Sequence, residues 1–273
     1  MTDLVDPASA PPPLPEPESS PDPTPGLSLT GTDRRTPSVF FSICALMVRT
    51  QVTRTRLVAL GSLSVLALVV GAALGNGRVR NHLTTGTDFV NLYGLSLLVP
   101  VATLVFASSM FGDPSDDGTL VYLWLRPVAR TKLVAAAALT SFVVTWPLVV
   151  PPLVAAASLT KGGSDLVWGT LLSATVMMFA YTGLYVALGL RVKRPLVWGL
   201  LYTFIWEGFV ARGSTNAAKL AVRAYGTSVL HEVTNVPLVL SDLSFAWGVT
   251  IPLVAGVLGL AYAVRRLRRM DVA

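Results

Sequence analysis

The stretch LVALGSLSVLALVVGAALG, residues 57–75, holds nineteen residues without a charged side chain. A helix of about 20 apolar residues is long enough to cross the ~30 Å hydrocarbon layer of a bilayer. Five further apolar stretches follow, at 89–111, 133–159, 166–190, 195–211 and 243–264. Because open strands would leave backbone groups without partners in lipid, these stretches are predicted to be helices. The sequence thus predicts an all-α integral membrane protein with six transmembrane helices.

The composition of the whole chain favours the same class. Of its 273 residues, 52% are hydrophobic and only 13% are charged, about half the charged share of an average soluble domain. So few charged side chains argue against a water-soluble enzyme of this size, and no nucleic acid is expected among the partners. The one cysteine, Cys44, excludes an internal disulfide and a multi-cysteine metal site.

The N-terminal segment 1–37 differs from the rest of the chain. It contains ten of the 19 prolines, and its first 33 residues carry six acidic side chains without a Lys or Arg. Such a segment cannot bury enough apolar surface to offset its chain entropy, so a disordered cytoplasmic tail is predicted. Two roles of this tail are open, namely a solvated tether and a ligand for a proline-binding module. The other 240 residues carry 21 basic and nine acidic side chains, a net charge of +12.

Residues 38–56 precede the first long apolar stretch. They begin with the apolar letters VFF at 39–41 and end on the basic residue Arg56. A basic, apolar segment of this length is typical of a helix that lies in the membrane interface. We therefore predict an interfacial amphipathic helix at 38–56, a transmembrane domain at 57–269 and a short C-terminal end at 270–273.

The Lys and Arg residues near the ends of the apolar stretches predict the orientation. Thirteen of them lie on the side that receives residues 49–56, 126–132, 191–194 and 265–269, and six lie on the other side. Because basic residues accumulate on the cytoplasmic side, both termini are predicted to be cytoplasmic, in a multi-pass protein of the plasma membrane.

Glu207 is the only charged residue within the six apolar stretches. Such residues usually face a cavity or a partner, because a charge near the bilayer centre costs a few kcal/mol. Glu207 lies about 18 Å along a helix from Pro195, towards the outer half of the membrane. Two roles are open. In the first, the carboxylate would lie near the outer interface, where it would pair with Arg212 or cap the next turn. In the second, it would take part in a translocation path.

The connection after the fifth stretch, 212–242, has apolar segments of its own. These are NAAKLAVRAYGTSVL at 216–230 and NVPLVLS at 235–241. Short interfacial or re-entrant helices are one interpretation of these segments. An ordinary loop is the other.

The loop between the second and third stretches carries the most informative motif, DGTLVYLWLRPVAR at 117–130. The motif has an acidic, turn-forming start and then an apolar and aromatic segment too short to cross the membrane, and three cations lie within the seven residues 126–132. An amphipathic cytoplasmic helix with charged ends is typical of a contact with a partner. A helix that only lies on the membrane surface has the same composition.

These residues resemble the permease subunits of the type-2 family of ABC transporters. The resemblance lies in Asp117-Gly118-Thr119 and in the letters LRPVAR at 125–130, which are similar to the acidic-Gly-Thr and Arg-Pro-Val-x-Arg pattern of that family's loop. WEG at 206–208 is also similar to a pattern in one branch of these permeases. The resemblance covers about residues 38–269.

The resemblance implies that this loop is a coupling helix, which docks into a cleft of a separately encoded ATPase. Six residues would then carry ATP-driven motion into the membrane: Asp116, Asp117, Gly118, Thr119, Arg126 and Arg130. The resemblance further implies a permease dimer in the lipid bilayer, with two ATPase chains. Export of a substrate rests on family analogy.

The sequence agrees that energy comes from a partner. It contains no G-x-x-x-x-G-K-[ST] phosphate loop, and its apolar stretches lack the acidic relay of a proton-coupled transporter. The chain is therefore predicted to be a transport subunit and not an enzyme, with no cofactor of its own because ATP binds to the partner subunit. Two other functions stay open. They are a secondary transporter that uses Glu207 and a non-transporting scaffold whose tail recruits a partner.

Overall fold

The computed structural model describes residues 39–116, 129–213, 215–238 and 243–269. Every regular element in these ranges is helical, which confirms the all-α fold expected from the sequence. The proline-rich tail at 1–37 and the C-terminal end at 270–273 lie outside the described residues.

Eight principal helices make up this part of the chain. They are α1 (Val39–Gln51), α2 (Arg54–Asn76), α3 (82–116), α4 (Arg130–Leu159), α5 (Ser164–Arg191), α6 (Pro195–Val210), α7 (Val222–Thr234) and α8 (Phe245–Arg269). Two of them contain a π-helical segment, Val90–Leu98 in α3 and Tyr202–Val210 in α6. Two short helical turns, Ala211–Gly213 and Thr215–Ala218, lie between α6 and α7.

Five of these helices are long and apolar enough to cross a membrane, namely α2, α3, α4, α5 and α8. The fifth predicted stretch corresponds to α6, which is apolar but runs only from Pro195 to Val210. At 1.5 Å per residue its length is at most about 24 Å, less than the thickness of the hydrocarbon layer. The predicted count of six spans therefore depends on α6.

Two asparagines mark helix ends. The Asn81 side chain accepts hydrogen bonds from the backbone N–H groups of Leu83 (3.0 Å) and Thr84 (3.3 Å), so α3 begins well before the apolar stretch predicted at 89–111. Asn235 has a left-handed φ of 54°, and its N–H donates to the His231 carbonyl at 2.7 Å. This left-handed cap ends α7.

The segments predicted in the connection after α6 divide into two outcomes. The segment at 216–230 overlaps α7, so a helix forms there, although it begins at Val222 and continues to Thr234. Residues 235–238 are not helical, and 239–241 lie outside the described part of the chain. The loop interpretation is therefore wrong for the first segment, and the helix interpretation is wrong for the start of the second.

The ends of the helices form two groups, one at each end of the bundle, and polar contacts connect the helix ends within each group. Arg130 reaches the last turn of α8 and Arg191 reaches Tyr262, and we call this end of the bundle the basic end. At the opposite end the Lys161 ammonium group lies 3.4 Å from the Asn76 side-chain oxygen. The basic end corresponds to the side that carries thirteen Lys and Arg residues in the sequence.

Helices α2 and α4 approach closely at the G-x-x-x-G pair Gly71 and Gly75. A Cβ atom at Gly71 would lie 2.5 Å from the Ala156 carbonyl oxygen, and one at Gly75 would lie 1.8 Å from that of Leu159. Only residues without a side chain permit such an approach of two helix backbones. The glycine pattern therefore serves as a contact within this chain.

Proline in α4 creates a polar group that α2 satisfies. Pro152 has no N–H, so the carbonyl four residues earlier, at Leu148, lacks its normal helical donor. The Ser64 hydroxyl of α2 donates to this carbonyl oxygen at 2.8 Å. Serine side chains satisfy freed backbone groups in this way inside membranes.

Helix α5 lies at the centre of the bundle and packs against α3, α4, α7 and α8. It crosses α8 at a glycine contact, where a Cβ atom at Gly183 would lie 2.1 Å from the Gly256 carbonyl oxygen. Gly259, one turn further along α8, meets the Gly183 backbone as well. Small residues thus fix the distance between α5 and α8.

Gly183→Ala is expected to destabilise the bundle by about 1–3 kcal/mol, the usual cost of overpacking, because the new methyl group would overlap the Gly256 carbonyl. Gly61→Ala is the matched control, since nothing lies within 4 Å of the position that its Cβ would take. The free energies of unfolding are compared by denaturant titration in detergent. Equal values for the two variants would contradict the close α5–α8 contact.

Candidate functional site

A buried carboxylate, Glu207, lies in the π-helical segment of α6 and is only 2% exposed. In a π-helix the N–H of residue i+5 donates to the carbonyl of residue i, as the Ala211 N–H donates to the Trp206 carbonyl here. The wider turn changes which side chains face the neighbouring helices, and π-helical segments are frequent at functional sites. The acid that the sequence singled out therefore lies in an unusual piece of backbone.

Three groups from different elements converge on the Glu207 carboxylate. The Tyr181 hydroxyl of α5 donates to one carboxylate oxygen. The N–H of Val222, the first residue of α7, donates to the other oxygen at 3.0 Å. Tyr202, within the same π-helical segment, also hydrogen-bonds to the carboxylate. Glu207 thus joins α5, α6 and α7.

The electrostatic environment of Glu207 offsets part of the cost of burying a carboxylate. Its contact with Val222 places it at the N-terminus of α7, where the helix dipole favours a negative charge. The buried Arg223 side chain, the next residue of α7, attracts it electrostatically. Removing one member of such a buried set is strongly destabilising, because the remaining groups lose their partners.

A second pair of polar side chains lies next to this cluster. The Tyr185 ring stacks on that of Tyr181, with centroids 5.3 Å apart and planes inclined by 7°. Its hydroxyl lies 2.8 Å from the Thr203 hydroxyl of α6. The tyrosines at 181 and 185, four residues apart on one face of α5, thus form two polar bridges from α5 to α6.

Helix α7 lies deep along α5. Glu207 connects the first residue of α7, Val222, to Tyr181 of α5. Leu230, near the other end of α7, lies against Gly169 of α5. Tyr181 is about 26 Å from the start of α5, a helix about 42 Å long. Since α5 has the length and hydropathy of a membrane span, α7 begins inside the apolar layer and runs back towards the end opposite the basic end.

A cleft of about 490 Å³ opens beside this cluster, between α5, α6, α8 and the first turn of α7. Tyr185, Tyr202 and Val222 form part of its wall. Glu207 lies behind these residues and does not line the cleft. The carboxylate therefore positions the wall of the cleft, and its place in a translocation path stays a prediction.

The alternatives for Glu207 are partly resolved by this geometry. One alternative expected the carboxylate to cap the next turn, whereas it accepts from the first N–H group of α7, fifteen residues later in the chain. Its location is deep in the bundle, and its distance from the outer interface stays a prediction. The Arg212 side chain, the other expected partner, lies outside the described residues.

A polar network joins α1, α2 and α3 near the basic end. The Arg56 guanidinium donates to the Ser109 hydroxyl at 3.0 Å, and that hydroxyl lies 3.1 Å from the side-chain oxygen of Gln51. The amide nitrogen of Gln51, which is 3% exposed, donates to the Phe106 carbonyl at 3.1 Å. The network fixes the part of α3 that leads into the loop predicted to contact an ATPase.

Arg130 fixes the other side of the same loop. Its guanidinium donates to the carbonyl oxygens of Leu267 (3.1 Å) and Arg268 (2.6 Å), in the last turn of α8. A cation in this position satisfies terminal carbonyls and complements the helix dipole. Within the part of the loop that the structure describes, Arg130 is thus a cap for α8.

The remaining residues predicted for coupling are not described. Asp117, Gly118, Thr119 and Arg126 lie outside the described residues, as does the side chain of Asp116, whose backbone ends α3. Their assignment stays a prediction. Of the six residues, the structure places only Arg130 in a network of contacts.

Sequence reasoning missed the partners of Glu207. Tyr181 and Tyr185 gave a signal, a pair of hydroxyl-bearing aromatic residues four apart in an apolar stretch. Val222 gave none, because its contribution is a backbone N–H. Gln51 and Ser109 gave only a weak signal, as polar residues close to Arg56 and to the end of an apolar stretch.

Comparison with known families adds one finding to this geometry. Residues 49–211 match the model of a family described as ABC-2 family transporter protein. The match spans 163 of the 273 residues. No curated protein and no solved structure matches the chain significantly.

Glu207→Ala is expected to speed amide hydrogen exchange in the first turn of α7 by about tenfold or more, because the buried Val222 N–H loses its acceptor. Glu207→Gln keeps an acceptor oxygen and should exchange more slowly than the alanine variant. Tyr185→Phe is the control, since it removes the bond to Thr203 and leaves the Glu207 contacts in place. Unchanged exchange in Glu207→Ala would show that the carboxylate does not hold α7.

Proposed function

This chain belongs to the ABC-2 transporter family, and on that premise we propose that it is the permease subunit of an ATP-driven exporter. In this proposal a separate ATPase chain binds and hydrolyses ATP. The observation that carries the proposal is the family match over residues 49–211. That range includes α2 to α6 and the loop between α3 and α4.

The anchoring of the loop between α3 and α4 supports its role in coupling. On the α3 side, Ser109 is tied to Arg56 at the start of α2. On the α4 side, Arg130 is tied to the last turn of α8. A partner that moves this loop would therefore displace α2 and α8 together with it, which is what ATP-driven motion requires of the permease.

We also propose that the functional unit is a dimer in the plasma membrane. Helix α6 presents large apolar side chains on its outer side, such as Ile205 (52% exposed) and Phe209 (78% exposed). The six proposed spans of one chain are too few to enclose a path for a substrate, so a second copy would provide the other wall. Alternating access then follows from motion of the two copies when the ATPase chains close on ATP.

The proposed topology has six spans, with both termini in the cytoplasm. It counts α6 as a crossing helix in spite of its length, because α7 begins at Glu207 of α6 and covers the remaining depth of the layer. The basic end then faces the cytoplasm, in accordance with the excess of Lys and Arg on that side.

Site-directed labelling tests this topology in a Cys44→Ala background. We expect a membrane-impermeant maleimide to label Lys161→Cys and Asn235→Cys in intact cells, and to label Lys193→Cys only after permeabilisation. All three positions are exposed. Labelling of Asn235→Cys only after permeabilisation would mean that α6 does not cross the membrane.

Affinity purification from the native host tests the ATPase partner. We expect an ABC ATPase to copurify with the wild-type chain and to be lost with Asp117→Arg and with Arg126→Glu, because charge reversal in the loop would oppose docking. Arg269→Glu is the matched control, since it reverses an exposed charge at the same end of the bundle. Full recovery of the ATPase with both loop variants would contradict the coupling assignment.

A further inference from the structure

The cleft of about 490 Å³ beside Glu207 has the size of a ligand pocket, which is commonly 300–1,000 Å³. Most of its wall is aliphatic, with Leu184 and Leu188 from α5 and Ile251 and Ala255 from α8. Trp198 of α6, which is 55% exposed, stands at its edge. An apolar wall with an exposed edge can be reached by a hydrocarbon chain from the membrane.

The position of the cleft along the helices places it near the basic end. Leu188 is three residues from Arg191, the last residue of α5, and Trp198 is four residues from Arg194, which precedes α6. These separations correspond to about one helical turn, or 5 Å. The cleft therefore ends about one turn from the surface where the arginines lie.

Exposed cations follow or precede the residues at this end of the cleft along the helices. Arg191 donates a hydrogen bond to the Tyr262 hydroxyl of α8, and its guanidinium carbon lies 6.0 Å from the centre of the Tyr262 ring. This contact bridges α5 and α8 below the cleft. Arg194 and Arg266 are also exposed, and Arg266 follows Tyr262 by one turn of α8.

We propose that this cleft binds an anionic phospholipid, with an acyl chain along the aliphatic wall and the phosphate at Arg191, Arg194 and Arg266. The charge of the rim and the apolar nature of the wall match the two parts of such a molecule. Basic pockets between membrane helices on the cytoplasmic side recognise anionic head groups in this way. The site would hold lipid whether or not an ATPase is bound, so it goes beyond the proposed transport function.

The far end of the cleft fixes the direction in which the lipid lies. Lys219 and Tyr225 line that end, at the level of Val222, and the Tyr225 hydroxyl donates to the Lys219 carbonyl. A phosphate there would lie inside the apolar layer, away from water, at a high desolvation cost. At the basic end the phosphate stays hydrated while it contacts the guanidinium groups.

Fluorescence quenching by brominated lipids tests the site. Trp198 is kept as the only tryptophan, with the other five replaced by Phe, and the full-length chain is reconstituted in phosphatidylcholine. A minor fraction of the lipid is then brominated phosphatidylglycerol or brominated phosphatidylcholine. A variant that keeps only Trp247, which is exposed at the opposite end of α8, serves as the control.

We expect brominated phosphatidylglycerol to quench Trp198 with an apparent affinity at least about fivefold higher than that of brominated phosphatidylcholine, the factor for one favourable cation. The preference should be absent at Trp247. Arg191→Gln combined with Arg194→Gln should abolish it at Trp198. Tyr262→Phe, which removes the bond to Arg191 but keeps the cation, should retain it.

Three results would overturn the proposal. Equal quenching of Trp198 by both lipids would show that the cleft does not select an anionic head group. An equal preference at Trp247 would show that the effect comes from the general surface. Loss of the preference in Lys219→Gln, with retention in the double arginine variant, would place the charged group at the wrong end of the cleft.

Discussion

A helix that begins inside the hydrocarbon layer exposes N–H groups that no water can reach. Helix α7 begins beside Tyr181, well inside the length of α5, so its first N–H groups need acceptors from the protein. The Glu207 carboxylate accepts from the Val222 N–H, and the Tyr181 hydroxyl and Tyr202 satisfy the carboxylate in turn. The arrangement of α5, α6 and α7 depends on this set, because none of its members has an alternative partner in lipid.

The same requirement explains polar contacts elsewhere in the bundle. Ser64 satisfies the Leu148 carbonyl that Pro152 frees in α4. Near the basic end, Gln51 and Arg56 connect α1 and α2 to α3. Each contact ties two helices together at one depth. Lipid offers little hydrophobic force between helices, so such polar ties and the glycine contacts determine how the helices pack.

The sequence alone predicted the elements more fully than their contacts. Apolar stretches and the scarcity of charge were enough for the all-α fold, since helix formation in lipid depends on local composition and length. Helix α3 begins before the apolar stretch at 89–111, because the Asn81 cap lies in a polar segment that hydropathy does not detect. Helix α7 stayed one of two alternatives, because its stability comes from packing against α5 and α8 and not from its own apolar length.

For the candidate site, the sequence identified the residue but not its role. Glu207 stood out because a single charge in an apolar stretch is rare and costly. Its neighbours in space come from positions 181 and 222, and one of them contributes only backbone. A contact that a backbone N–H makes carries no composition signal. The sequence therefore indicated a site near Glu207, while only the fold distinguished a structural tie from a group that lines the cleft.

Helix α8 provides a physical connection between the loop that precedes α4 and the cleft. Its last turn is held by Arg130, and Tyr262 is held by Arg191 of α5. Further along the same helix, Pro252 and Ala255 line the cleft, and Pro252 interrupts the helical hydrogen bonds at that level. A displacement of the α8 end would therefore bend the helix where it faces the cleft, while the glycine contact with α5 keeps the two backbones at a fixed distance. Helix α8 thus carries both the turn that Arg130 holds and two residues of the cleft wall.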